Sequence, residues 1–153
     1  MKKLDTKKIK ELRDKTGAPV MRAKNVLAEV GGDLEKATKI LKKEGFEKAK
    51  KRAGRSTNQG IIASYVHHSS KVASMVELLC ETDFVAKNEL FVELGHNLAL
   101  QVASMNPKNA KELEKQEFIK DPSVKISDLV GDVIAKTGEN VNIGRILRLE
   151  LGE

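Results

Sequence analysis

The sequence predicts an α+β protein in which an N-terminal three-helix bundle precedes a core domain with a three-stranded antiparallel sheet covered by helices. Apolar residues recur at helical spacing in residues 5–46, whereas β-branched or alternating apolar residues fill residues 60–80 and 141–151. The charge divides similarly: residues 1–55 carry 18 Lys and Arg against 8 Asp and Glu, and residues 56–153 carry 10 against 14. We therefore predict a three-helix N-terminal domain (1–46), a basic linker (47–59) and an α+β core domain (60–153).

Length and composition narrow the class of protein. The chain has 153 residues, of which 40% are hydrophobic and 33% charged, which is typical of a folded protein with a core. No apolar run approaches the ~18–20 residues of a membrane span, and residues 1–5 lack the apolar region of a secretory signal. A single cysteine, Cys80, excludes an internal disulfide framework. We expect a cytoplasmic protein without a membrane partner.

The first two helices are predicted from their apolar stripes and their ends. The first covers residues 5–15 and ends at Thr16-Gly17, with a stripe formed by Leu4, Ile9 and Leu12. Pro19 suits the first turn of the second helix, because its fixed φ is helical and its missing N–H costs nothing there. That helix ends at Gly31-Gly32. Its inward face is predicted to be Ala23, Val26, Leu27 and Val30.

Asp33 is the predicted N-cap of the third helix, because its carboxylate can accept from the free N–H groups of the next turn. Gly45 is predicted to end this helix, with Phe46 folding back as the apolar contact. The inward face is predicted to be Leu34, Ala37, Ile40 and Leu41. The basic run 48–55 in the linker fits a solvated helix end better than a phosphate site, since neither aromatic residues nor a glycine pattern accompany it.

The core domain begins with a predicted hairpin over residues 60–67 and 72–80, followed by a strand-to-helix corner at residues 81–87. A long helix follows and stops at Asn106-Pro107; its apolar spacing is set by Phe91, Leu94, Leu98, Val102 and Met105. Residues 108–125 are charged and only weakly periodic, a pattern that predicts a short helix and a loop around Pro122. Ser127 is predicted to cap a further helix that ends at Gly138.

The last segment alternates and predicts the third strand. One face is predicted to hold Val141, Ile143, Leu147, Leu149 and Leu151. Arg145 and Ile146 break the alternation, so the two faces are only mostly segregated.

Motifs for catalysis, metal or cofactor binding are weak in this sequence. A phosphate-binding glycine loop is absent, and His67, His68 and Cys80 supply at most two ligands on one face of a strand, which is too few for zinc. We expect no catalytic residue, no metal, no cofactor and no small-molecule substrate. Five aromatic residues and no Trp disfavour base stacking on RNA, so we expect no specific nucleic-acid partner, although the basic N-terminal region favours an acidic partner or the ribosome.

Two apolar side chains stand out by their positions. Met21 lies about 160° from Ala23 around the second helix, away from the bundle core, with Val20 at the edge of the stripe and Arg13 nearby. This indicates either a docking patch or scattered surface residues. Phe84 follows a carboxylate at the corner and is either an inward plug or an outward wedge; for an unidentified domain the plug is favoured.

Four segments form a recognisable series along the chain: residues 12–21 (LRDKTGAPVM), 31–37 (GGDLEKA), 80–87 (CETDFVAK) and 138–141 (GENV). In their order and spacing they resemble the motifs of one family, elongation factor Ts. The resemblance implies a ubiquitin-associated-like fold for the three helices. It also implies a guanine-nucleotide exchange factor, not an enzyme, that binds elongation factor Tu in its GDP-bound and nucleotide-free states.

The resemblance assigns roles to two groups of residues. Arg13, Val20 and Met21 would dock on the GTPase domain. The segment that would disturb the bound Mg²⁺ and the phosphate loop, with the Phe84 ring as a wedge, comprises Thr82, Asp83, Phe84 and Val85. This favours the wedge over the plug.

Two departures from the family pattern bear on partners. Residues 19–23 read PVMRA where the family usually has GMMDC, so Arg22 in place of an acid is expected to change charge pairing with the partner. Longer members have two core half-domains and a coiled-coil insertion, whereas short members pair, which implies a homodimer here. The alternatives are a small basic ribosome- or RNA-associated adaptor, and a ubiquitin-associated-like adaptor that would leave Asp83 and Phe84 without a role.

Overall fold

The computed structural model describes residues 5–153, and the predicted contribution of Leu4 to the first apolar stripe lies outside this range. Three helices come first, and strands and helices then alternate in an α+β architecture. The helices are α1 (Thr6–Thr16), α2 (Val20–Glu29), α3 (Leu34–Arg52), α4 (Asp83–Ala86), α5 (Glu89–Met105), α6 (Ala110–Lys115) and α7 (Ile126–Thr137). The strands are β1 (Gln59–Val66), β2 (Val72–Cys80), β3 (Glu117–Phe118), β4 (Asp121–Lys125) and β5 (Val141–Glu150).

The helix ends of the N-terminal region follow from local chemistry. The Asp5 carboxylate accepts from the N–H of Lys7 at 2.9 Å, and the Asp33 carboxylate accepts from the N–H of Lys36 at 3.1 Å, so both aspartates are N-caps. Gly17 ends α1 with φ at +67°, which only glycine adopts without strain. The predicted stripes pack together, and the bundle core consists of Leu12, Ala23, Val26, Leu27, Ala37 and Leu41.

Two predictions for α3 are wrong. Ile40 was expected to face inward but is 36% exposed, at the edge of the buried stripe. Gly45 was expected to end the helix, yet α3 continues to Arg52. Gly45 instead allows close helix packing, since a Cβ there would lie 3.0 Å from the Cβ of Ala135 on α7. A glycine placed for close approach looks the same in sequence as a helix C-cap.

The core sheet has the order β1-β2-β5 and is antiparallel throughout, as predicted. Helix α5 packs on one face of β1 and β2, where the hydroxyl of Ser74 donates to the carbonyl of Ala99. The main hydrophobic core lies between this face and the helices, with Phe91 and Leu98 of α5 fully buried. The second face of the sheet is open.

The prediction that Leu147, Leu149 and Leu151 share a face with Val141 and Ile143 is wrong. Val76 pairs with Ile146 but Leu78 pairs with Ile143, so β5 holds one extra residue opposite Glu77. Such a bulge reverses the inside–outside parity of the residues that follow it. Ile146 therefore packs on the core, while Leu147 and Leu149 are exposed on the open face and Leu151 is exposed beyond the strand.

The segment between α5 and α7 is more regular than predicted. Helix α6 was expected, but the loop expected around Pro122 is the short antiparallel hairpin of β3 and β4. Helix α7 begins at Ile126, so Ser127 is not its cap. The carboxylate of Asp128, in the first turn, accepts from the backbone N–H of Lys125, the residue that precedes the helix, at 3.1 Å. Within residues 5–153, no helix is long and apolar enough to cross a bilayer.

Candidate functional site

Phe84 lies on the outside of the molecule at the strand-to-helix corner. It is the second residue of α4, a helix of one turn, and 82% of its surface is exposed. The plug that the residues alone favoured is therefore wrong. Val85 and Ala86 are the buried residues of this turn and join the main core, so the turn is anchored by its other face.

Thr82 and Asp83 define the start of this turn. The hydroxyl of Thr82 accepts from the N–H of Val85 at 3.5 Å as the N-cap, and the carboxylate of Asp83 accepts from the ammonium of Lys87 at 3.3 Å. Both partners of the Asp83–Lys87 pair are largely exposed, so the pair contributes little to stability. The corner thus presents an apolar ring beside an exposed carboxylate.

Glu139 holds the corner from the other end of the chain. Its Oε2 accepts from the backbone N–H of Glu81 at 3.1 Å and of Thr82 at 3.0 Å, and its Oε1 accepts from the Thr82 hydroxyl at 2.6 Å. Hydrogen bonds to a carboxylate are among the stronger ones in proteins. The site prediction did not include Glu139, although residues 138–141 were noted for their resemblance.

Asn140 connects the corner to the end of α3. Its backbone N–H donates to the carboxylate of Glu81 at 2.7 Å, and its buried amide donates to the carbonyl of Arg55 at 2.8 Å and, more weakly, to that of Ala53 at 3.4 Å. Nothing in the periodicity of the sequence indicates these bonds, because they join residues 59 to 87 positions apart.

Cys80 is buried below the corner, and its thiol donates to the carbonyl of Thr82 at 3.1 Å. Burial raises the pKa of this thiol, and the nearby Glu139 carboxylate raises it further. The group is accordingly protonated at neutral pH. The two histidines are at the opposite end of the hairpin, since Cys80 pairs with Gln59 while His67 adjoins the turn before Val72.

Two of the other predicted residues, Val20 and Met21, lie at the start of α2, and the third, Arg13, lies on α1. Met21 is 63% exposed and Val20 is 50% exposed, on the side of the helix away from the bundle core, and Arg13 is exposed on α1. We call these three residues the α2 patch. It lies in a different part of the fold from the corner, and residues 46–55 and the Asn140 amide connect the two regions.

Arg22 is engaged within the chain. Its guanidinium donates through Nε to the Glu44 carboxylate at 3.1 Å and through a second nitrogen to the other oxygen, with Glu29 3.5 Å away. This two-point pairing lowers the pKa of Glu44 and fixes α2 against α3. The expectation that Arg22 alters charge pairing with a partner remains a prediction. In the structure this side chain already pairs with Glu44 of the same chain.

The comparisons with known proteins agree on one family. The family model described as "Elongation factor TS" matches residues 81–153. The chain is 39% identical to Elongation factor Ts of Fervidobacterium nodosum, over 95% of this chain and 96% of that protein. It is 40% identical to Elongation factor Ts of Nitratidesulfovibrio vulgaris, over 94% of each.

A third relative, Elongation factor Ts of Clostridium botulinum, is 45% identical over 97% of this chain and 48% of its own length. The chain thus spans about half the length of this relative and nearly the full length of the other two.

Proposed function

The chain belongs to the elongation factor Ts family, and on this premise we propose that it is a translation elongation factor that binds elongation factor Tu and promotes release of GDP. It acts by binding and not as an enzyme, in the cytoplasm. The observation that carries this proposal is the exposed Phe84 ring on a corner whose backbone is fixed by Glu139. A rigidly placed apolar ring is suited to enter a partner and displace its parts.

The proposed mechanism assigns one task to each exposed region. The α2 patch docks on the GTPase domain through Val20, Met21 and Arg13. The corner then places Asp83 and the Phe84 ring against elements next to the Mg²⁺ and phosphate site of the partner. GDP is held there by several charge-assisted bonds that depend on one geometry, so a small displacement weakens many of them together.

Exchange requires only a difference in affinity for two states of the partner. An exchange factor shifts its partner only if it binds the nucleotide-free state better than the GDP-bound state. Burying a phenyl ring that is exposed in the free protein contributes roughly 1.5–3 kcal/mol, which is enough for a tenfold or larger effect. Thr82 and Val85 contribute by fixing the direction of the ring, one as N-cap and the other as buried anchor.

The test is the release of fluorescent GDP from elongation factor Tu with substoichiometric protein. We expect multiple-turnover acceleration by the wild type and a loss of at least tenfold in Phe84→Ala. Ile119→Ala is the matched control, because Ile119 is also an exposed apolar residue but lies between β3 and β4. There its backbone N–H donates to the side chain of Gln101, a residue in the second half of α5. If the wild type gives no acceleration with a cognate partner, the proposal fails, and steep salt-dependent RNA binding would favour the basic adaptor.

We also propose that the protein is a homodimer that pairs through the open face of the core sheet. This face carries exposed apolar side chains from all three strands: Ile62, Val66, Met75, Leu147 and Leu149. Its ionised residues Glu77 and Arg145 pair with each other, the Arg145 Nε donating to the Glu77 carboxylate at 3.1 Å. A second copy related by a two-fold axis therefore meets an apolar face without unpaired charge.

Light scattering at micromolar concentration tests the dimer. We expect the mass of two 16.9 kDa chains for the wild type and of one chain for Leu147→Glu, which places a charge in the middle of the face. Ile119→Glu, at an exposed apolar residue outside this sheet, is expected to keep the dimer. A wild type that scatters as one chain would contradict the proposal.

A further inference from the structure

The corner that carries Phe84 needs more support than its own short helix supplies. Helix α4 has four residues, whereas isolated helices shorter than about 12–15 residues are marginal in water. Its own cap bond, from the N–H of Val85 to the Thr82 hydroxyl, is long at 3.5 Å. The N-cap and the buried anchor of the turn therefore need further support from outside the turn to fix the direction in which the Phe84 ring points.

Glu139 provides this support through both of its carboxylate oxygens. One oxygen accepts from two consecutive backbone N–H groups, those of Glu81 and Thr82, and thereby fixes the peptide plane that leads into the turn. The other accepts from the Thr82 hydroxyl, which leaves a lone pair of that hydroxyl aimed at the N–H of Val85. A continuous chain of hydrogen bonds thus runs from Glu139 to the residue that follows Phe84.

The position of Glu139 is itself fixed by its neighbour. Asn140 is 1% exposed, and its backbone and side-chain N–H groups are bonded to the Glu81 carboxylate and to the backbone at residues 53–55. Gly138, which precedes Glu139, ends α7 with φ at +78°. The segment is held on both sides, so the Glu139 carboxylate is a fixed point for the corner.

We propose that Glu139 is a positioning residue for nucleotide exchange, one that sets the direction of the Phe84 ring without contacting the nucleotide site itself. The inference rests on the proposed function. This role differs from a purely structural one. The turn is anchored in the core by Val85 and Ala86, whereas Glu139 is half-buried at the rim of the corner and contacts the residues that lead into the turn.

The test compares Glu139→Ala with Glu139→Gln in the GDP-release assay at saturating partner. Glu139→Ala is expected to slow release roughly tenfold, the loss typical of removing hydrogen bonds to a charged acceptor. Glu139→Gln retains an oxygen that accepts from the two N–H groups, and its amide N–H donates to the Thr82 hydroxyl oxygen in place of the bond that this hydroxyl donates to Glu139, so it is expected to restore most of the rate. Glu112→Ala is the control, since it removes a carboxylate that accepts from a backbone N–H, that of Lys108, on α6.

The decisive measurement repeats Glu139→Ala in a Phe84→Ala background. If Glu139 acts through the ring, its removal has no further effect there, because the ring it positions is gone. An equal slowing in both backgrounds, or no slowing in the wild-type background, would overturn the proposal. A general loss of stability would slow both backgrounds alike.

Hydrogen exchange at the Glu81 and Thr82 amides needs no partner and separates this inference from the proposed function. We expect Glu139→Ala to remove the protection of these two amides and to leave that of the β2 amides unchanged. Retained protection would overturn the positioning role whatever the release rate. A wild type that does not accelerate release would reject the proposed function, and the two amides would then decide alone whether Glu139 holds the corner.

Discussion

The α2 patch and the corner expose apolar side chains to a comparable degree but are supported in different ways. Met21 lies on a regular helix whose shape follows from its own sequence, from Pro19 at the start to Gly31 after the end. Phe84 lies on a single turn whose entry is hydrogen-bonded to Glu139, more than fifty residues away. A docking surface can be built from local structure alone, whereas a ring that must enter at one angle needs a distant support.

The two regions also differ in the size of the core beneath them. The bundle core under the α2 patch consists of six buried residues, while the corner is anchored in a cluster of nineteen, counted over residues 5–153. The end of α3 connects them, since Ala49 belongs to the larger cluster and Phe46 packs against Gly131 of α7. The α2 patch is therefore expected to be the less stable of the two regions.

Leu27→Ala is expected to have the largest effect on the difference in stability between the bundle and the core sheet. Leu27 is fully buried, and removing such a side chain typically costs about 2–5 kcal/mol. In so small a bundle we expect this loss to unfold α1 and α2 while the sheet remains folded. Amide hydrogen exchange should show lost protection in α1 and α2 with native protection in β2.

The matched variant is Leu98→Ala, which removes the same side chain from the larger cluster. It is expected to lower the stability of the whole chain by a similar free energy without unfolding one region selectively. Simultaneous loss of protection in α2 and β2 on Leu27→Ala would show that the two regions unfold as one unit, and the contrast would then fail.

A smaller effect is expected in GDP release, where substitutions in the α2 patch and at the corner should change different quantities. Met21→Ala is expected to raise the concentration at half-maximal GDP release by roughly fivefold and to leave the maximal rate unchanged, as for a peripheral contact worth about 1 kcal/mol. Phe84→Ala is expected to lower the maximal rate instead. Titration of the release rate against protein concentration gives both quantities, with Ile119→Ala as the common control. Identical changes in both variants would mean that the two regions act as one surface.

The sequence was sufficient wherever the structure is determined locally. The cap at Asp33, the glycine ends of α1 and α7 and the hairpin follow from nearby residues. The orientation of Met21 followed from helical spacing alone. These features need no knowledge of the rest of the fold.

The sequence was insufficient where distant segments meet. Gly45 lets α3 pack closely against Ala135 of α7. The extra residue in β5 becomes apparent only when that strand pairs with β2 around Glu77. Phe84 was assigned to the interior by its residue type, and only the resemblance favoured the exposed wedge. Glu139 was missed because its partners are far away in sequence.

The smallest effect concerns Arg22, which fixes the α2 patch against α3. The guanidinium lowers the pKa of Glu44, so the pair stabilises the fold fully above the ordinary carboxyl pKa of about 4.3 and ceases to do so as pH falls through the lower folded value. Glu44→Gln is expected to lower the melting temperature at pH 7 by no more than about 4 °C, as for a partly exposed pair. The difference from the wild type should vanish in acid.

Thermal melts of both proteins between pH 7 and pH 3 measure this difference, with Glu11→Gln as the control because Glu11 pairs with Lys15 on an exposed face of α1. A difference that persists at the lowest pH would show that Glu44 stabilises α2 without its charge. A difference that vanishes as expected means that Arg22 is held by an internal acid. The departure at residue 22 would then act on the rigidity of α2 against α3 and not on the free charge of the α2 patch.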